Sequence, residues 1–79
     1  MQSTDLTSLN EAPVGVHHVI HSFQSQPDMC QRLRELGFGE NISIRTIAKG
    51  SAQLICLVGN TRIGIHHRIA KDILVARAA

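Results

Sequence analysis

The sequence predicts a mainly β protein: a small closed barrel of five short strands, with one α-helix inserted between the first two and a short helical turn before the last. Three observations carry this. Aromatic residues make up only 3% of the chain, so the core must come from Ile, Val and Leu, a composition that suits small β structures. Turn signals at Gly37–Asn41, Lys49-Gly50 and Gly59-Asn60 cut the chain into short apolar runs. The stretch Arg32–Ile44 reads as a helix end, a glycine stop, a tight turn and the start of a strand.

Taken in order, Val14 to Phe23 is the first strand, with Val16, Val19, Ile20 and Phe23 interrupted by His17, His18 and His21. His18 and Ile20 fall on one face and Val19, His21 and Phe23 on the other, a flawed alternation that a bulge or an edge position reconciles. The helix opens at Pro27, where a missing N–H costs least, with Ser25 or Gln26 as its N-cap. Met29, Leu33 and Leu36 fall at i, i+4 and i+7 and form its apolar stripe, with Cys30 beside it. Gln31, Arg32, Arg34 and Glu35 take the solvated side. Gly37 sits where a helix wants a left-handed residue, Phe38 can fold back onto the stripe, and Asn41 is the non-glycine residue best suited to positive φ. The remaining strands are Ile42–Ala48, the continuous apolar run Ala52–Val58, Thr61–Ile65 after a two-residue hairpin turn, and Ile73–Val75. His66–Asp72 is the short helical link before the last of these.

With 79 residues the chain is read as one domain, residues 11–79, behind a polar, partly disordered lead-in at 1–10 in which Leu9 is the residue placed to touch the barrel. A net charge of +2 is too weak to argue a nucleic-acid groove. Cys30 and Cys56 sit among aliphatic residues and read as buried free thiols of a reducing compartment. No charged segment leads into an apolar run, and no apolar run is long enough to span a bilayer, so the expectation is a soluble, cytoplasmic protein.

At this point two motifs resemble a known family. Arg-Leu-Arg-Glu-Leu-Gly at 32–37, followed by a turn and Ile44, is similar to the central motif of the FeoA family, small cytosolic proteins of ferrous iron transport. The segment Ile63–Val75, an apolar strand, a basic turn, Ala70 in a short helix and then Ile73-Leu-Val75, is similar to the closing pattern of that family. The resemblance spans roughly residues 14–76, and Leu33, Leu36, Gly37, Ile44, Ile65, Ala70, Ile73 and Val75 are the framework positions that match. It implies an SH3-like barrel of five strands and an accessory role beside an FeoB-like membrane transporter, met through its cytoplasmic G-protein or core region. The same module occurs at the C-terminus of iron-dependent repressors. Glu40-Asn41 stands where the family usually has Pro-Gly, Ala12-Pro13 where the first strand usually carries a glycine, and His66-His67 where the basic turn is commonly led by arginine.

Five histidines invite a metal reading, with Fe2+, Mn2+ or Zn2+ as the candidate ions. His17 and His21 share a strand face but lie about 13 Å apart along it. His66 and His67 diverge as neighbours in a helical turn, and no Cys-x-x-Cys or helical His-x-x-x-His is present. A cross-strand site joining a first-strand histidine to His66 or His67 stays open; surface histidines are the plainer reading. A single-strand nucleic-acid platform wants stacking aromatics over a basic groove, whereas the chain has no Tyr or Trp and its cations look dispersed. No nucleic-acid partner is expected. No nucleophile stands beside a base, and a barrel this small leaves little room for a deep pocket, so the expectation is a binding module and not an enzyme. Its candidate partner-binding residues are Arg32, Arg34 and Glu35 on the outer helix face and His66, His67 and Arg68 in the basic turn, with a stand-alone metal-binding or metal-sensing domain as the alternative and a nucleic-acid-binding barrel as the lesser one.

Overall fold

The computed structural model describes residues 5–78. Its elements are β1 (Leu6–Ser8), a 3₁₀ turn (Leu9–Glu11), β2 (His17–Phe23), α1 (Pro27–Leu36), β3 (Ser43–Lys49), β4 (Gln53–Val58), β5 (Thr61–His66), α2 (His67–Ala70) and β6 (Ile73–Arg77). The six strands form one antiparallel sheet in the order β1-β6-β2-β3-β4-β5. The class is the one expected, mainly β with one inserted helix, and the strand count is six where the sequence suggests five. The extra strand, β1, pairs with β6 from Leu6↔Ala76 to Ser8↔Leu74. It lies within the lead-in, where three residues without alternation give no strand signal.

β2 to β5 are successive antiparallel neighbours, with α1 inserted between β2 and β3, and the chain then returns through α2 to lay β6 on the other side of β2. β2 is therefore a central strand, and of the two devices that could repair its alternation the structure uses the bulge, between Ile20 and Ser22. The face carrying His18 and Ile20 is buried. Gly59 at φ 59°, followed by an Asn60 without positive φ, makes the β4–β5 connection a type II′ turn, whose twist matches the strands it joins. β1 and β5 remain the two edges of the sheet, so the strand ladder itself is not closed. α2, which follows β5 directly, packs on the end of β5, on β4 and on the 3₁₀ turn.

Ile20, Ile44, Leu54, Cys56, Val58, Ile65, Ile73 and Val75 point inward from the sheet, joined by Leu9, Ala12 and Ala70 from the connections. α1 adds Leu33, with Met29 and Phe23 packed against the cluster. Its third stripe residue departs from expectation: Leu36 is 54% exposed. The helix ends there in a left-handed glycine, Gly37 at φ 112°. The Gly37 N–H bonds the Arg34 carbonyl and the Phe38 N–H bonds the Leu33 carbonyl at 2.9 Å, which is the Schellman arrangement. That reversal swings Phe38 into the core, 2% exposed, in the place the stripe reserves for Leu36. Asn41 takes positive φ, 69°, as its side chain permits.

Candidate functional site

The candidate residues fall on two elements. Arg32, Arg34 and Glu35 are exposed on α1. His66 and Arg68 are exposed at the junction of β5 and α2, and His67 between them is half-buried. Arg68 alone of these lines a shallow depression between the start of α1 and α2, with Gln24, Gln26, Met29, Ile69 and Asp72, and Arg32, Arg34 and Glu35 do not reach it, so the two sets are not brought together there.

Several of these side chains are already committed. Arg34 Nη1 and Nη2 donate to Glu40 Oε1 and Oε2 at 2.8 and 3.1 Å, a bidentate pair that spans the Gly37 elbow. Its guanidinium also lies over the Phe23 ring, 5.3 Å from the centroid, a cation–π geometry. These guanidinium hydrogen bonds, with help from the backbone, hold the Glu40 carboxyl down at about 2. The sequence offers no signal for this pair, because six residues and a left-handed turn separate its members. Arg34 is thus a brace of the elbow, while Arg32 and Glu35 stay free of ion pairs among the described residues.

The histidine pair divides in the same way. His66 caps α2 by accepting the Arg68 N–H on Nδ1 at 3.0 Å. His67 donates Nε2–H to the Gly50 carbonyl at 2.8 Å and meets the Asn10 side-chain amide with Nδ1. Lys49 Nζ donates to the Asn10 carbonyl beside it at 3.2 Å. Three segments distant in sequence, the 3₁₀ turn, the β3–β4 turn and α2, are clasped together.

The first-strand histidines do not join them. His17 Nε2 faces Arg45 Nη1 at 3.4 Å across the β2–β3 ladder, and His21 Nδ1 lies 2.9 Å from Ser22 Oγ. His18 is buried with Nδ1 on the Val16 carbonyl at 3.1 Å. Among the described residues no three His, Cys, Asp or Glu side chains gather in a geometry that would hold a metal ion. Of the histidines offered as metal ligands, His67 has protein partners on both ring nitrogens and His66 on Nδ1.

Cys56 is fully buried and free, whereas Cys30 is only half-buried, its Sγ donating to the Ser25 carbonyl at 3.4 Å. Burial pushes the Cys56 thiol up, with the Thr46 hydroxyl across the strand pair offsetting part of that push. A raised thiol is a poor nucleophile. No helix among the described residues is long and apolar enough to cross a membrane.

The FeoA domain family model matches residues 7–77. The zinc complex of FeoA from Stenotrophomonas maltophilia, named a prokaryotic SH3 domain protein, is 33% identical, with 87% of this chain and 88% of that one covered at a TM-score of 0.76. An iron uptake regulatory protein (FeoA) in a monoclinic crystal is 19% identical and superposes with a TM-score of 0.85 over 94% of this chain and all of its own. A manganese-dependent transcriptional repressor is 12% identical, with a TM-score of 0.89 over 99% of this chain but only 45% of the repressor. The last two likenesses are of fold. No curated protein matches the chain.

Proposed function

The chain belongs to the FeoA family, which is linked to ferrous iron transport and shares an SH3-like fold, and from that premise we propose that it is a non-catalytic accessory module that binds the cytoplasmic part of an FeoB-like membrane transporter. The observation that carries the proposal is the extent of the match: residues 7–77 of the 5–78 described belong to the family module. The protein's product is then its surface. The S. maltophilia relative is itself put forward as a ferrous iron transport activating factor.

Within that surface some candidates are better placed than others to meet a partner. Arg34 and His67 are spent on the fold, which leaves Arg32, Glu35, His66 and Arg68 as the exposed set. The test is a binding titration against the soluble cytoplasmic domain of the transporter from the same organism, with and without guanine nucleotide. Arg32→Glu and Arg68→Glu are the variants to run in parallel. Saturable binding weakened by either variant supports the proposal. No binding in any nucleotide state, either to the soluble domain or to the intact transporter in membrane, overturns it.

A metal-binding reading draws on the zinc in the S. maltophilia relative and the manganese of a related repressor complex. In this chain His67, engaged at both ring nitrogens, argues against its own part in such a site. A rise in melting temperature with Zn2+, Mn2+ or Fe2+ that His17→Ala or His66→Ala abolishes is the result that would restore it.

A further inference from the structure

β5 is an open sheet edge. It pairs with β4 from Val58↔Thr61 to Gln53↔His66 without a register shift, and nothing among the described residues pairs with its other side. Its hairpin turn has two residues, so Val58 and Thr61 exchange hydrogen bonds, as do Cys56 and Ile63, then Leu54 and Ile65. Arg62 and Gly64 therefore turn their N–H and C=O groups away from the sheet. Folded proteins usually blunt such an edge with a proline, a bulge, a very short strand, a covering element or charged side chains, and of these β5 carries the exposed Arg62. The other edge, β1, is three residues long. β5 has six residues, no proline and no bulge.

The part of the chain that builds this edge carries no acidic residue. From Asn41 to Lys71 the chain contains no Asp or Glu, and within that span lie Arg45, Lys49, Arg62, Arg68 and Lys71. The strand registers set His17, Arg45, Leu57 and Arg62 in one row across the outer face of four successive strands. Leu57 in that row and Ile55 in the next are only half-buried, which explains why β4 reads as apolar on both faces. Gly64, beside Ile55, adds no side chain to the edge.

We infer that the free edge of β5 docks an extended acidic segment of a partner protein, which adds to the sheet as a further antiparallel or parallel strand. Backbone groups of Arg62 and Gly64 supply the ladder. Carboxylates on the outer face of the segment meet Arg62, and its alternate apolar residues turn to the inner face beside Ile63 and Ile65. A second copy of β5 is the poorer occupant, because antiparallel pairing centred on Gly64 sets Arg62 opposite His66 and joins two basic edges. The inference deepens the interface reading above and rests on it for the identity of the partner, while the edge itself is testable without the transporter.

The probe is a short fluorescent peptide alternating glutamate with valine, read by anisotropy and by amide hydrogen exchange of the intact protein. Binding is expected to weaken with salt and to slow exchange at the Arg62 and Gly64 amides. N-methylating alternate peptide amides, which keeps charge and shape but removes strand donors, is expected to cost about tenfold in affinity, and Arg62→Glu a similar factor. Gly64→Pro removes the open-edge donor without touching a β4 bond and gives a second protein-side arm; the N-methyl control carries no folding risk. Equal binding of the methylated peptide, binding without protection at Arg62 and Gly64, or no binding overturns the inference. Concentration-dependent self-association abolished by Gly64→Pro also overturns it, in favour of a second copy. A transporter titration that fails while the peptide binds removes the transporter and leaves the edge; the reverse result removes the edge alone.

Discussion

Replacing His67 by alanine should loosen the protein where α2 meets the 3₁₀ turn and the β3–β4 turn. The side chain makes two hydrogen bonds, to Asn10 and to the Gly50 carbonyl, each worth about 0.5–1.5 kcal/mol net. Gly50 is exposed, so water can replace part of the second. The Lys49–Asn10 contact at 3.2 Å survives the change. The expected loss is about 1–2 kcal/mol, and each kilocalorie lowers Tm by about 4–8 °C in a domain of this size. Urea denaturation gives the total, and a double-mutant cycle with Asn10→Ala isolates the first bond, whose coupling should fall near 0.5–1.5 kcal/mol. Amide exchange should rise first at the β3–β4 turn, where the Gly50 N–H bonds the Gln53 carbonyl at 2.8 Å, before the centre of β4 opens. A loss below about 0.5 kcal/mol with no coupling, within the range of ordinary surface substitutions, would refute the clasp and return His67 to the residues free for a partner or a metal.

Three further outcomes follow from the same structure. Thr46 Oγ1 is buried with no nitrogen or oxygen partner among the described residues, and sulfur is a weak one, so Thr46→Val should stabilise by about 1 kcal/mol in chemical denaturation. At Gly37 an added Cβ meets nothing within 4 Å, so Gly37→Ala tests conformation alone and should cost about 1–2 kcal/mol by the same assay. The depressed Glu40 carboxyl, at about 2, adds stability above its unfolded value of about 4.3 that is lost as pH falls toward 2. The Tm gap between the protein and Arg34→Ala should accordingly shrink on acidification across that window, and a constant gap would show that the pair is not linked to folding.

What the sequence reveals here is what local chemistry decides. Pro27, Gly37 and Asn41 mark backbone positions that few other residues suit, and each does what its geometry requires. The β2 bulge is legible because the histidines break a period of two. Leu36 misleads because helical periodicity continues to the last turn, whereas the Schellman reversal hands the final core place to Phe38. β1 is too short to carry a pattern. The candidate site fails in a different way: residue type suggests that Arg34 and His67 face outward for a partner. Their partners, Glu40 beyond a left-handed turn and Asn10 at 57 positions' separation, are set by the fold and not by spacing.

The free edge of β5 was equally hidden, and for an instructive reason. Strand propensity reads each run by itself, and Thr61–His66 looks like any other alternating segment. Whether it is central or peripheral depends on where β6 returns, and β6 returns beside β2. Had it crossed to β5, Arg62 and Gly64 would be buried in a ladder and the acid-free stretch Asn41–Lys71 would form merely a solvated face. Because it does not, one topological choice leaves backbone donors and acceptors free beside the exposed Arg62. The exposed Leu36 and the free charges of α1 lack that coincidence: lone apolar side chains are ordinary on a protein surface, and exposed charges without backbone partners give little affinity. A partner that needs a defined register therefore has more to gain at the β5 edge than at the helix.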